Sequence, residues 1–150
     1  MNVEFNRSLS LSRNFVLGEF IVSSSHPEAL EGVHLTDAEI QKFYLLTMFC
    51  LQPVRDHLGT MVITSGYRNA KLNHLVGGVP TSQHCYAEAV DFKPGQSDPL
   101  AVYLWLHNSI KWPGELILYP DEGRLHVALP RLGVHADHFV KKSHSITMNV

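Results

Sequence analysis

The stretch that decides the fold covers residues 65–91 and reads SGYRNAKLNHLVGGVPTSQHCYAEAVD. It carries two side chains that suit a metal ion, His84 and Asp91, and a later Leu-His-Val triplet at 125–127 adds His126. Imidazole nitrogens and carboxylate oxygens are ligands that zinc takes from proteins. Spacing alone is weak support, because a lone histidine is more often an ordinary surface or core residue. The three residues are therefore a candidate metal site that depends on the pattern around them.

A long helix is predicted before this stretch. Thr36 and Glu39 form a capping box, in which each side chain accepts a hydrogen bond from the other residue's free backbone donor. The helix should continue to about Leu58 and stop at Gly59, with a kink or a new start at Pro53. Its predicted apolar face consists of Ile40, Phe43, Tyr44, Thr47, Met48 and Leu51.

Short strands and helices are predicted within and after the deciding stretch. They are a buried strand at 61–64, a helix at 70–75, a strand at 88–92, a helix from 98, and strands at 115–119 and 124–129. The helix from 98 should turn Leu100, Tyr103, Leu104 and Leu106 inward. Pro-Asp-Glu-Gly at 120–123 is a good hairpin turn. We expect an α+β fold, with helices packed on one small, mostly antiparallel sheet.

The composition is that of one ordinary globular domain covering residues 1–150, with a loop-rich lead at 1–35 and a weakly patterned tail at 131–150. The net charge of −2 gives no broad electrostatic case for nucleic acid or a membrane surface. No apolar run is long enough to span a membrane, and the first residues lack the apolar core of a secretory signal. The two cysteines cannot build a disulfide framework, and Cys50 should be a buried free thiol.

Several short motifs occur in a fixed order through the deciding stretch. They are Ser65-Gly66-Tyr67-Arg68, Leu72-Asn73, Val76-Gly77-Gly78, Ser82-Gln83-His84 and Ala87-x-Ala89-x-Asp91. Together they resemble the zinc D-alanyl-D-alanine carboxypeptidase and L-alanyl-D-glutamate peptidase family, which has the Hedgehog/DD-peptidase fold. The lead, with Leu11-Ser12-x-Asn14-Phe15 and Leu17-x-Glu19-Phe20, is similar to the compact phage-type branch. The resemblance covers about residues 11–128.

The resemblance implies a set of site residues. One Zn²⁺ would be held by His84, Asp91 and His126. Arg68 would face the substrate, where a guanidinium can hold a carboxylate by paired hydrogen bonds; its ordinary alternative is to tie down the turn. Ser82 and Gln83 would lie near the metal, as supports of the ligands or as substrate contacts.

The carboxylate that should activate water is displaced relative to the family. Members carry an acid shortly before the third ligand or on the partner strand of its hairpin, where this chain has Gly123 and Tyr119. If Tyr119 pairs with Arg124, then Glu115 shares a face with His126, although we expect it to be remote. We predict Glu122 as the base.

Two alternatives to Glu122 stay open, Asp121 and Glu115. The ordinary explanation of Asp121 and Glu122 is plain turn chemistry. Three further departures from the family are Ala87, Leu125 and Cys85. Ala87 stands in place of a glycine, which suggests a shifted loop or a slightly altered site, and Leu125 stands in place of an aromatic residue. Cys85 directly follows the first ligand, and a packing role is favoured over metal binding.

The function that the resemblance implies is metal-assisted hydrolysis of peptidoglycan stem peptides by a phage lysin. Such a lysin would act from the host cytoplasm, with release to the cell wall at lysis. One alternative is a virion or tail component that binds other phage structural proteins and has weakened or lost catalysis. Another is a small binding protein in which zinc only staples the loops. The bond that is cut, the oligomeric state and the role of the tail with His135, His138 and His144 stay open.

Overall fold

In the computed structural model, which describes residues 6–142 and the backbone of residues 147–149, helices pack on a six-stranded sheet. The strands are β1 Ser10–Ser12, β2 Phe15–Val16, β3 Met61–Ser65, β4 Ala89–Pro94, β5 Leu116–Tyr119, β6 Arg124–Ala128, β7 His138–Lys141 and β8 Thr147–Asn149. The α-helices are α1 Asp37–Leu46, α2 Gln52–Leu58, α3 Ala70–Leu75 and α4 Pro99–Trp105. The predicted α+β class is confirmed.

The large sheet has the order β3-β4-β6-β5-β7-β8, and β1 and β2 form a separate small sheet. Every pair in the large sheet is antiparallel except β5 and β7, which confirms a mostly antiparallel sheet. In the hairpin, Tyr119 lies opposite Arg124 and Ile117 lies opposite His126, as the turn predicts. This register fixes which side chains share the face of His126.

The predicted long helix is divided by a π-helical turn. The capping box at its start is present, with Glu39 N donating to Thr36 Oγ1 and Thr36 N donating to Glu39 Oε1. The turn Thr47–Leu51 runs without a break into α2, so Pro53, the second residue of α2, lacks an N–H that a continuous helix would use, and the change in helical hydrogen bonding lies just before it. Gly59 ends α2 at a φ of 100°, a conformation that favours glycine.

The predicted inward faces are partly wrong. Tyr44, Met48 and Leu100 are exposed because they lie at the edges of their apolar stripes, while Leu46 and Val102 point into the core. Val62 is also exposed, at 65%, because β3 is the edge strand of the sheet and one of its faces meets solvent.

The lead and the tail both belong to the fold. Leu17, Phe20 and Leu30 of the lead are buried in the core, and the ring of Phe20 lies 4.9 Å from that of Phe43. The tail supplies β7, which runs parallel to β5, while His144 lies outside the described residues. No helix in the described part of the chain is long and apolar enough to cross a membrane.

Candidate metal centre

Three elements bring the candidate ligands together. His84 lies on the 3₁₀ turn Gln83–Tyr86, Asp91 lies in β4, and His126 lies in β6. Asp91 and His126 are direct partners across the β4–β6 ladder, so their side chains leave the same face of the sheet. The turn with His84 is tied to the Arg68 turn by the bond from Arg68 N to His84 O at 3.0 Å.

The three side chains meet around one carboxylate oxygen. Oδ1 of Asp91 lies 2.8 Å from His126 Nδ1 and 3.3 Å from His84 Nε2. One ligand atom from each residue lies within 4.8 Å of the others, and no other group of three such residues within 6–142 meets this condition. His84 and Asp91 are 3% and 5% exposed, so water reaches this oxygen poorly.

The outward nitrogen of each imidazole is held by an acceptor. His84 Nδ1 donates to Gly66 O at 2.8 Å, and His126 Nε2 lies 3.0 Å from Glu115 Oε1. Because a carbonyl can only accept, neutral His84 turns the lone pair of Nε2 towards the carboxylate. Two lone pairs facing each other in a buried site are stabilised by a cation between them. The donor set and its supports therefore fit zinc.

The expectation that Glu115 is remote is wrong. Ladder pairing continues beyond β5, with Ala128 N donating to Glu115 O at 3.0 Å, so Glu115 stays on the face of His126. Its side chain is long enough to reach back along the strand to the imidazole. Its hydrogen bond to His126 lowers the pKa of Glu115 below the usual range.

The charges of the site differ from residue to residue. Burial lowers the pKa of His84, which favours the neutral imidazole that a metal needs. Burial opposes ionisation of Asp91, but its contacts with His126 and His84 outweigh burial and lower its pKa. Burial would lower the pKa of His126, but Asp91 and Glu115 on its two nitrogens raise it to about 9. Metal binding at Nδ1 must therefore displace a proton.

Most of the chain matches the sequence model of a known protein family. The model of the peptidase M15 family matches residues 13–127. The chain belongs to the peptidase M15 family. Members of this family are zinc peptidases, and the matched range contains all three candidate ligands. A search of the curated proteins found no match.

Arg124 is a neighbour of the M15 site that the sequence did not reveal. Its Nη1 lies 2.9 Å from Oδ2 of Asp91, its Nε donates to Glu122 Oε2 at 2.9 Å, and its guanidinium lies 3.9 Å from the centre of the Tyr119 ring. The sequence pattern identified Arg124 only as the strand partner of Tyr119 in the hairpin. The signal that could have found it is its position two residues before His126, on the same face of β6.

The M15 chain has two open clefts that meet at Arg68. A cavity of about 410 Å³ is bordered by Arg68, Asn73 and Tyr86. A second cavity of about 320 Å³ is bordered by Arg68, Asp91, Glu122 and Arg124. Arg68 borders both cavities, its Nη1 lies 3.5 Å from Asn73 Oδ1, and burial lowers its pKa. Glu122 borders the same cleft as Asp91, but its carboxylate is bound by Arg124.

Ser82 and Gln83 support the turn that carries His84. Ser82 Oγ accepts from His84 N at 3.3 Å, and Gln83 Nε2 donates to Leu129 O at 2.8 Å and to Glu88 at 3.2 Å. These contacts explain why the turn is well placed against β6. They account for both side chains without a substrate.

Ala87, which stands where the resemblance has a glycine, has an unusual backbone conformation. Its φ of 57° and ψ of 35° lie in the left-handed region that favours glycine. An alanine in this region costs about 1–2 kcal/mol. Cys85 borders the Arg68 cleft and is not part of the three-residue group, and Cys50 is a buried free thiol, as expected.

Proposed function

We propose that this chain is a zinc peptidase that hydrolyses the stem peptides of peptidoglycan, with His84, Asp91 and His126 as the zinc ligands. The observation that carries the proposal is the buried nitrogen–oxygen–nitrogen set, in which both outward imidazole nitrogens are held by acceptors. The membership of the M15 family gives the class of reaction. When bound, zinc would polarise the scissile carbonyl and make a water molecule more acidic.

The residues around the zinc ligands have separate roles in this proposal. Arg68, at the junction of the two clefts, holds a carboxylate of the peptide by paired hydrogen bonds. Ser82 and Gln83 keep the His84 turn in place and act through it rather than by touching the peptide. Glu115 fixes the ring of His126 from the side that faces away from Asp91.

Glu122 is the proposed proton acceptor. It is 54% exposed and borders the same cleft as Asp91, so a water molecule in that cleft can reach it. Glu115 is a poorer candidate, because its carboxylate is held on the far nitrogen of His126. Asp121 stands beside Glu122 in the same turn and is the remaining alternative.

The biological setting follows from the resemblance to the compact phage-type branch. We propose a lysin that is made in the host cytoplasm and reaches the cell wall at lysis. A second candidate is a virion or tail component with weak catalysis, bound to other phage structural proteins. It is favoured by one observation, that Arg124 occupies the carboxylate of Glu122 while Tyr119 stands where the family has an acid.

The test uses the full chain with one equivalent of zinc and purified peptidoglycan stem peptides that contain both candidate bonds. Wild type should release D-alanine or cleave after L-alanine, and mass spectrometry identifies the products. Glu122→Gln should lower turnover by about 10²–10⁴-fold with zinc retained. Glu31→Gln, on the exposed end of an early turn, is the matched control.

The outcomes separate the two candidates. Full turnover by Glu122→Gln would remove Glu122 as the base, and Asp121→Asn is then the next variant. A wild-type chain that holds one zinc and cleaves neither bond would reject the lysin and support the virion component.

A further inference from the structure

The two carboxylate oxygens of Asp91 have different partners because Arg124 binds one of them. Oδ2 accepts from Arg124 Nη1 at 2.9 Å, while Oδ1 faces His126 Nδ1 at 2.8 Å and His84 Nε2 at 3.3 Å. Asp91 is 5% exposed, so no shell of bulk water competes for either oxygen. The guanidinium therefore decides which oxygen is available to a cation.

The guanidinium is itself held on two sides. Glu122 accepts from Nε and Nη2, and the ring of Tyr119 lies 3.9 Å below the guanidinium carbon. A planar group with a fork of donors can bridge two carboxylates in this way, whereas an ammonium cannot. Arg124 is thus fixed in position before any ligand arrives.

A fixed positive charge next to a site for a divalent cation needs an explanation. Coulomb repulsion between Arg124 and the ion disfavours metal binding, although Glu122 offsets part of it. A better orientation of the Asp91 carboxylate must then outweigh this repulsion in the free energy of metal binding. Holding Oδ2 supplies this orientation, because it prevents the carboxylate from turning both oxygens to the metal.

We propose that Arg124 is a positioning residue that makes Asp91 a one-oxygen zinc ligand. This inference rests on the proposed zinc site and deepens it, because it names a residue that sets the coordination number. A one-oxygen Asp91 leaves one more position of the ion for water or peptide. Tyr119 and Glu122 hold the guanidinium, so the hairpin turn also takes part in shaping the site.

The test compares Arg124→Met with Arg131→Met in the full chain. Arg131 is a matched control, because it also pairs with a glutamate, Glu88, and lies 5.3 Å from the ring of a tyrosine, Tyr86, but touches no candidate ligand. Zinc affinity is measured by competition with a chromophoric chelator. The visible spectrum of the cobalt-substituted protein reports the coordination number.

The proposal expects Arg124→Met to bind zinc about 10–100-fold more weakly and to change the cobalt spectrum towards higher coordination, while Arg131→Met matches wild type. It is overturned if Arg124→Met binds zinc as tightly as wild type or more tightly, which loss of the positive charge alone would produce. An unchanged cobalt spectrum overturns it as well.

Two further measurements keep the result decisive. If Arg124→Met does not fold without metal, Arg124→Lys retains the charge without the fork, and its cobalt spectrum must then change for the proposal to stand. Peptide hydrolysis by wild type is measured separately. A chain that shows the expected metal effects but no turnover would reject the peptidase function and leave the positioning role intact.

Discussion

The single carboxylate of Asp91 organises the site at the scale of the residue. Two imidazoles and one guanidinium converge on it in a buried position, and each of these partners is held by a second acceptor. Gly66 O holds His84, Glu115 holds His126, and Glu122 holds Arg124. Such a closed set of hydrogen bonds keeps the ligand atoms oriented before a metal arrives.

Gly66 should be required for both stability and metal binding. A Cβ on Gly66 would lie 2.2 Å from Phe20 O, so Gly66→Ala must move the turn that supplies the carbonyl bound by His84. We expect a loss of about 1–3 kcal/mol in the free energy of unfolding and weaker zinc binding. Gly18→Ala, whose Cβ would meet Arg7 O at 3.0 Å and none of the candidate ligands, is the comparison. Equal zinc affinity in both variants would show that the Gly66 carbonyl does not orient His84.

Glu88 should make the free energy of unfolding depend on pH in the acid range. It accepts from Lys42 at 2.9 Å, from Arg131 at 2.6 Å and from Gln83 at 3.2 Å. Burial raises the pKa of Glu88, but these hydrogen bonds outweigh burial and lower it. A lowered pKa in the folded state means that the stabilisation is present above the unfolded value of 4.5 and is lost as pH falls through the folded value.

The matching variant is Glu88→Gln, which does not titrate. At pH 7 we expect it to be less stable than wild type by about 1–2 kcal/mol, and the difference should shrink below pH 4.5. Urea unfolding of the metal-free protein from pH 3 to pH 7 measures both curves. A difference that stays constant with pH would assign the effect to packing rather than to charge.

At the scale of the element, local chemistry determines most helix and strand positions. The register of β5 and β6 follows from the turn at 120–123, because a short hairpin allows few pairings. The contact between Arg124 and Asp91 does not follow from any local pattern, since it needs β6 to lie beside β4 rather than only beside β5. The reach of Glu115 to His126 was missed because it depends on side-chain length as well as on strand face.

The N-cap of α1 tests whether a local side-chain hydrogen bond stabilises the start of this helix. Thr36→Ala removes the hydroxyl that accepts from Glu39 N at 3.2 Å, and it should lower the free energy of unfolding by about 1 kcal/mol. Thr36→Ser keeps the hydroxyl and should stay close to wild type. Urea unfolding separates them, and an equal loss in both variants would point to the methyl group instead of the cap.

At the scale of the whole molecule, the site joins parts of the chain that the sequence presents separately. The His84 turn, the central strands β4 and β6, and the Gly66 turn packed on the lead through Phe20 all contribute. The motif order from 65 to 91, together with Leu-His-Val at 125–127, was enough to predict that His84, Asp91 and His126 lie together and that the class is α+β. The paths of the lead and the tail were not predictable, because β7 joins β5 in a parallel pairing that no short turn specifies.

The most direct test of this account is the zinc content of the purified full chain. Wild type should hold one zinc per chain by elemental analysis. Zinc at a free concentration of 100 times Kd should raise the free energy of unfolding by about 2.7 kcal/mol. His84→Ala and His126→Ala should lose the metal and the stabilisation, whereas His74→Ala, an exposed histidine on α3, should retain both. A wild-type chain without zinc, or a His84→Ala chain that binds zinc as tightly as wild type, would contradict the account.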